Sequence, residues 1–187
     1  MQKVNLNLGC WHREIPGWIH IDLCDMPHID YNSSIDDLYM FNNETVDLIY
    51  SSHSFEYFDV KKAPFVLQEW YRVLKPGGIL RLAVPDFDSL VNLYSSTKDI
   101  KNILGPLFGR MEIETKTNKE MLFHKTTYTF DSIKELLNLN GFVKVKRYDW
   151  KETIHKDYDD HSQAYYPHMD KEKGLLLSLN VEAVKNV

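Results

Sequence analysis

Several things are scarce in this sequence of 187 residues, and each shortage excludes something. Only two cysteines occur, Cys10 and Cys24, too few for a disulfide framework, so a reducing compartment is expected. No apolar run approaches the ~20 residues that cross a bilayer, and MQKVNLNL lacks the apolar core of a secretory signal. A cytoplasmic chain with no membrane partner is the expectation. Positive charge is in deficit: 22 Lys and Arg against 27 Asp and Glu leave a formal net charge of −5, which disfavours nucleic acid as a partner. The densest basic patch, Lys144 to Tyr148, reads as the solvated face of a strand. Also missing is G-x-G-x-x-G. The loop GCWHRE lacks the glycines that let backbone approach a pyrophosphate, which argues against a dinucleotide dehydrogenase.

What remains is an ordinary globular composition, 43% apolar and 26% charged, sized for one packed domain over residues 1–187. Val4, Leu6 and Leu8 alternate with asparagines as a strand ending at Gly9. Trp18 to Leu23 forms a second strand after the Pro16-Gly17 turn. Val46 to Ser51 is an unbroken apolar strand of the kind covered on both faces. An amphipathic helix over Lys62 to Leu74 stops at Lys75-Pro76-Gly77-Gly78, read as a tight return into the strand Ile79 to Val84. Asp86 or Asp88 then caps a helix. Residues 98–128, broken by Gly105-Pro106 and Gly109, suit an insertion or lid. Thr129 caps a helix over Ser132 to Asn138, and the strands FVKVKRYDW and Leu175 to Val184 close the chain around the polar stretch 151–174. The alternation argues for a three-layer α/β fold, mostly parallel with an antiparallel terminal strand pair. Ligands of such sheets bind beyond the carboxyl ends of the central strands, which gathers Gly9, Asp22, Ser51 and Pro85 at one crevice.

The pieces LNLGC, GWIHIDL, VDLIYSSHSFEYF and EWYRVLKPGGILRLAVPD, in this order, resemble the class I S-adenosylmethionine-dependent methyltransferases. With DDHSQAYYPHMDKEKG the likeness narrows to a bacterial group of small predicted methyltransferases and covers nearly the whole chain. The resemblance implies a Rossmann-like seven-stranded sheet and S-adenosylmethionine as cofactor, with S-adenosylhomocysteine as product. It places Gly9 and Cys10 at the methionine end, Asp22 at the ribose hydroxyls and Ser34 near the adenine, with Asn7, Trp11, Leu23, Ile35, Ser51 and Ser52 as further cofactor-binding candidates. Two positions depart from the family pattern. Trp11 stands where a second glycine is usual, and Ser34 where an acidic residue is usual. The first crossover is also short: eight residues separate Gly9 from Trp18, room for at most one helical turn where a dozen or more residues and a helix are usual.

Methyl transfer from a sulfonium needs alignment and, for a protic acceptor, a base. His53, with Glu56 three residues on, is one candidate; a loop histidine bonded to backbone is the alternative. Asp86 is a second, competing with its role as a helix cap. His124 is a third, with Tyr128 as a substrate contact; both read equally as packing residues. His161, Gln163 and Tyr165, in the stretch 151–174, are substrate-contact candidates in a covering loop. Buried, Arg81 would need a carboxylate or a substrate anion. The run His155, Asp157, Asp159, Asp160, His161, His168 and Asp170 has the residue types of a metal site but no closed-site spacing, so no metal is expected. The function expected is methyl transfer to a small-molecule or glycan-type acceptor; the alternative is a non-catalytic fold relative that binds a ligand or partner in the crevice.

Overall fold

A computed structural model describes residues 3–115 and 118–187. In chain order the strands and helices are β1 (Asn5–Leu8), β2 (Ile19–Asp22), β3 (Tyr31–Asn32), β4 (Val46–Ser52), α1 (Ala63–Val73), β5 (Leu74–Pro85), α2 (Phe87–Thr97), α3 (Lys101–Phe108), β6 (Met111–Glu114), β7 (Lys119–Leu122), α4 (Phe130–Leu139), β8 (Phe142–Arg147), β9 (Tyr165–Tyr166), β10 (Leu175–Leu176) and β11 (Ser178–Lys185). Seven strands form the main sheet in the order β3-β2-β1-β4-β5-β11-β8. The pairs from β3 to β5 are parallel. β11 is antiparallel to both neighbours, so the sheet has the expected mostly parallel form with its antiparallel terminal pair. β6–β7 and β9–β10 are two small antiparallel ribbons beside it.

The elements follow from local chemistry. Thr129 accepts from the Ser132 amide and Ser132 returns the bond, a capping box that starts α4. Asp86 caps α2 with its side chain on the Asp88 amide. α1 buries Val66, Leu67, Trp70 and Val73 completely against the sheet, and the Trp70 indole N–H donates to Ile35 O at 2.6 Å. Lys75 to Gly78 differs from expectation. It is strand, because Leu74 already pairs with Val46, and a register shift between Val46 and Leu48 absorbs the extra residues. The break thus lies inside β5, with Gly77 at φ +77°.

The short first crossover holds no helix, so one face of the central strands needs another cover. Ile15 and Trp18 supply part of it, packing with Leu48 and Tyr50. The stretch after β8 supplies the rest. His155 lies 4.0 Å from the Tyr50 ring and 5.8 Å from Trp18, ring centre to ring centre. The Tyr50 hydroxyl donates to Asp160 at 2.6 Å. A strap from the far end of the sequence therefore covers the face where a crossover helix is usual. No described helix is long and apolar enough to cross a membrane.

Candidate active site

A cavity of about 400 Å³ opens beyond the carboxyl ends of β1 and β4, the position expected of a ligand site in a parallel sheet. Its floor is Asn7, Gly9, Cys10 and Trp11 from the β1 loop with Ser52 and His53 from β4. Gly105, Pro106, Gly109 and Met111 with His124 form one wall, and Asp160, His161 and Ala164 of the strap another.

The β1 loop is built tightly. Gly9 takes φ +65°, and a Cβ there would lie 2.4 Å from Ser54 Cβ; only glycine fits. Trp11 also sits in the left-handed region, at φ +46°, so it occupies a glycine-like conformation while carrying an indole. Asp22 holds it there: one carboxylate oxygen accepts the Trp11 amide at 2.7 Å and the other the Cys24 amide at 2.8 Å. The Trp11 carbonyl accepts from His28 at 2.8 Å, and the ring, 37% exposed, meets His12 edge-on at 4.2 Å. Trp11 is among the residues that line the cavity. Cys10 and Cys24 are both free and buried; burial pushes the Cys24 thiol up to about 12, so neither is poised as a thiolate.

At the other side, His53 follows β4 at φ +51°. Its Nε2 lies 3.0 Å from Ser178 Oγ and its Nδ1 3.5 Å from Glu56. His124 Nδ1 donates to Pro106 O at 2.8 Å, with Nε2 3.6 Å from the same Glu56 oxygen. Gly109 permits this, since a Cβ there would fall 2.0 Å from His124 Nε2. Burial holds both imidazoles below the usual histidine range, helped at His53 by His161 and His124. Burial raises Glu56 to about 8.

Of the residues read from sequence, Asn7, Gly9, Cys10, Trp11, Ser52, His53, His124 and His161 come together around this cavity. The others lie outside the cavity lining; Asp22 is buried behind the loop, with both carboxylate oxygens on backbone amides. Ser51 is fully buried on Ser54. Leu23 is 38% exposed, and Ser34 bonds Asp36 beside Ile35. Ile35 is 3.6 Å from the built Cβ of Gly9 and so stands at the loop's edge. Asp86 spends its carboxylate on the Asp88 amide and on Arg147 at 3.1 Å. Tyr128 is stacked on Phe55 within the core. Gln163 donates to Lys156 O and Tyr158 O inside the strap. Tyr165 accepts from the Trp150 indole. Arg81 pairs with Glu182 at 2.7 Å. Among the described residues no group of three His, Cys, Asp or Glu side chains has metal-holding geometry. Sequence reasoning missed Arg13, Tyr57, Arg110, Met111, Asp160, Ala164 and Leu177 as lining residues. The breaker run Gly105-Pro106 and Gly109 was the available signal for part of them.

The fold and the cavity at its carboxyl edge define a Rossmann-like methyltransferase architecture, and the comparisons agree. Residues 21–82 match the model of a methyltransferase domain. Among solved structures, the chain resembles a 1,6-didemethyltoxoflavin N1-methyltransferase from Burkholderia thailandensis with 1,6-didemethyltoxoflavin and S-adenosylhomocysteine bound, at TM-score 0.55 and 14% identity over 98% of this chain and 71% of that one. It also resembles a methyltransferase from Thermotoga maritima, at TM-score 0.57 and 12% identity over 100% of this chain and 83% of that one. Another from Methanosarcina mazei gives TM-score 0.56 and 17% identity over 100% and 95%. A curated relative, a demethylmenaquinone methyltransferase from Staphylococcus haemolyticus, is 27% identical over 128 residues, 60% of this chain; the match spans about half, 51%, of that relative's length. The chain thus has the Rossmann-like methyltransferase fold, and residues 21–82 within it match a methyltransferase domain.

Proposed function

We propose that this protein transfers a methyl group from S-adenosylmethionine to a small-molecule or glycan-type acceptor bound in the cavity. The observation that carries the reading is the Asp22-clamped loop: a carboxylate at the end of β2 holds Trp11 and Cys24 by their amides and sets Gly9, Cys10 and Trp11 along the cavity. Each Asp22 oxygen has a second lone pair, so the same carboxylate can accept from a ribose diol. The fit is therefore good at the loop. Gly9 and Cys10 approach the methionine end, and the Trp11 ring serves as a wall of the site. Ser34 and Ile35 lie on the adenine side.

When bound, the cofactor supplies a sulfonium-activated methyl group, whose S–C electron pair returns to sulfur as the new bond forms. The chain's own part is to align and to exclude water. The strap does both. Asp160 anchors it to β4 through Tyr50 and Ser52, and Arg13 donates to Asp159 O at 2.5 Å, tying it to the β1 loop. Residues 98–128 act as the lid on the opposite wall and 151–174 as the covering loop. The two free, buried cysteines favour a reducing, cytoplasmic setting. Thermal unfolding tests the reading. Ligand at about 100 times its dissociation constant stabilises the native state by about 2.7 kcal/mol, so S-adenosylhomocysteine should raise the midpoint and NAD should not. Equal midpoints with and without millimolar S-adenosylhomocysteine would refute it.

A further inference from the structure

Most polar side chains around the cavity are already committed to the protein. The ring nitrogens of His53 face Ser178 and Glu56, at 3.0 and 3.5 Å, and those of His124 face Pro106 O and Glu56, at 2.8 and 3.6 Å. The Asp160 carboxylate accepts from the Tyr50 and Ser52 hydroxyls and from the Ser162 amide. The Tyr57 hydroxyl donates to Gly109 O at 3.3 Å. Burial pushes the Cys10 thiol well above its ordinary value, and Arg13 and Arg110 can only donate. His161 is the exception. It lines the cavity, and among the described residues neither of its ring nitrogens has a hydrogen-bond or ion-pair partner.

The fold holds this imidazole in place by its neighbours. Asp160 caps the short turn His161–Gln163 by accepting the Ser162 amide at 2.7 Å. Ser162 O accepts from Asn180 at 2.9 Å. Gln163 donates to Lys156 O at 3.2 Å and accepts from Lys171 at 2.7 Å. Ser162 and Gln163 are buried, whereas His161, between Asp160 and Ser162, is exposed. The flanking side chains thus anchor the turn and leave one side chain to the cavity. Its ring meets the His53 ring edge-on at 5.3 Å, which sets it at the end of β4.

The charged and titratable groups around His161 come from four elements: Arg13 and His12 from the β1 loop, His53 after β4, His124 from the segment after β7, and Asp159 and Asp160 from the strap. Crowding by the cavity walls lowers His161 below the usual histidine range, Arg13 acts in the same sense, and Asp160 and Asp159 act against it. Near neutral pH the ring is therefore uncharged and carries one bare nitrogen. A proton that arrives on it meets two carboxylates within electrostatic range.

We propose that His161 is the general base of the methyl transfer, taking the proton of the acceptor on its bare ring nitrogen, which makes that acceptor a hydroxyl or uncharged N–H compound. The proposal rests on the methyltransferase reading above. In the step, the acceptor's O–H or N–H bond breaks and its electron pair forms the bond to the methyl carbon. The S–C pair stays on sulfur, and the freed proton forms an N–H bond to His161, leaving an imidazolium beside Asp160. His161 is exposed, so the proton passes to solvent once product leaves, and the base is reset. His161 is a catalytic residue in this reading, and Asp160 is a positioning residue that holds its turn against β4.

The test is nitrogen NMR of the histidine-labelled full chain with S-adenosylhomocysteine bound, between about pH 4.5 and 8.5, with His161→Gln identifying the His161 signals. Phenol at tens of millimolar is the hydroxyl probe, and anisole, its methyl ether, is the same ring without the proton. A hydroxyl that donates to the bare nitrogen favours the neutral imidazole, so phenol should lower the His161 midpoint by about half a pH unit or more, and anisole should not. His53 and His124 should stay unmoved, since their nitrogens are taken up inside the protein. A His161 midpoint that phenol leaves unchanged, one that anisole moves equally, or a phenol response at His53 or His124 instead would overturn the proposal. Where phenol is methylated, the rate should fall about a hundredfold in His161→Gln and, in wild type, should decline as pH drops through the His161 midpoint. A flat wild-type profile, or a variant within about threefold of wild type, would overturn it too. The NMR decides by itself where that turnover is too slow to follow. Absent S-adenosylhomocysteine binding refutes the underlying cofactor reading, whereas bound S-adenosylhomocysteine with an unresponsive His161 refutes this proposal alone.

Discussion

Asp22→Asn is the change whose cost can be worked most fully from the structure. Asp22 is 7% exposed, and its two oxygens accept the Trp11 and Cys24 amides at 2.7 and 2.8 Å. Asparagine has the same shape but one acceptor. Its carbonyl can keep one amide, and its NH2 then faces the other N–H. One hydrogen bond to a charged acceptor is lost, worth about 1.5–3 kcal/mol, and a buried N–H is left unsatisfied at a similar scale. The two overlap, so a net loss of about 3 kcal/mol is expected. In a chain of this size each kcal/mol lowers the melting midpoint by about 2–4 °C, which makes the expected drop roughly 6–12 °C. Urea unfolding monitored by tryptophan fluorescence measures it at constant pH. Because the amide held is that of Trp11, S-adenosylhomocysteine affinity should fall as well, by about tenfold or more. A variant within about 0.5 kcal/mol of wild type would refute the clamp.

Three further outcomes are expected. Trp11→Gly keeps the left-handed backbone that Trp11 already adopts but removes the indole wall, so calorimetry should find S-adenosylhomocysteine bound about tenfold more weakly; tighter binding would mean the ring fills cofactor space instead. Gly9→Ala places a Cβ 2.4 Å from Ser54 Cβ at φ +65°, and overpacking with left-handed strain should cost about 2–4 kcal/mol in chemical denaturation; a cost below about 1 kcal/mol would contradict the close approach. Glu56 is raised from 4.5 to about 8 in the fold, so its contribution is fully present below the unfolded value and is lost as pH rises toward the folded one. The loss runs at about 1.4 kcal/mol per pH unit between them. Glu56→Gln lacks this loss, so between about pH 5.5 and 7.5 it should gain about 3 kcal/mol on wild type, and parallel stability curves would contradict the buried neutral carboxyl.

How much of this could be read from sequence depends on the range of the interaction. β1, β4 and α4 were visible because alternation, apolar continuity and the Thr129 cap are local signals. Gly9 and Asp22 were visible because a strand-end glycine and a strand-end acid stand where the resembled family has them. The Lys75 to Gly78 break misled, since whether proline and glycine make a turn or a bulge depends on where β4 pairs with Leu74. The short crossover could be read from the spacing, but its replacement could not. Nothing local in the sequence says that His155 packs on Tyr50 or that Asp160 accepts the Tyr50 hydroxyl's hydrogen bond. Gln163 and Tyr165 lie in the strap but serve its internal bonds, while its cavity-lining members, Asp160, His161 and Ala164, flank that turn. The convergence of His53 and His124 on one Glu56 oxygen needs the fold, because His124 arrives from beyond the β6–β7 ribbon.

The central claim, a working cofactor site behind the Asp22-held loop, is tested most directly by isothermal titration of wild-type protein with S-adenosylhomocysteine. The account predicts saturable heat at one site per chain, weakened in Asp22→Asn. No heat at millimolar ligand, with the protein folded, would contradict it.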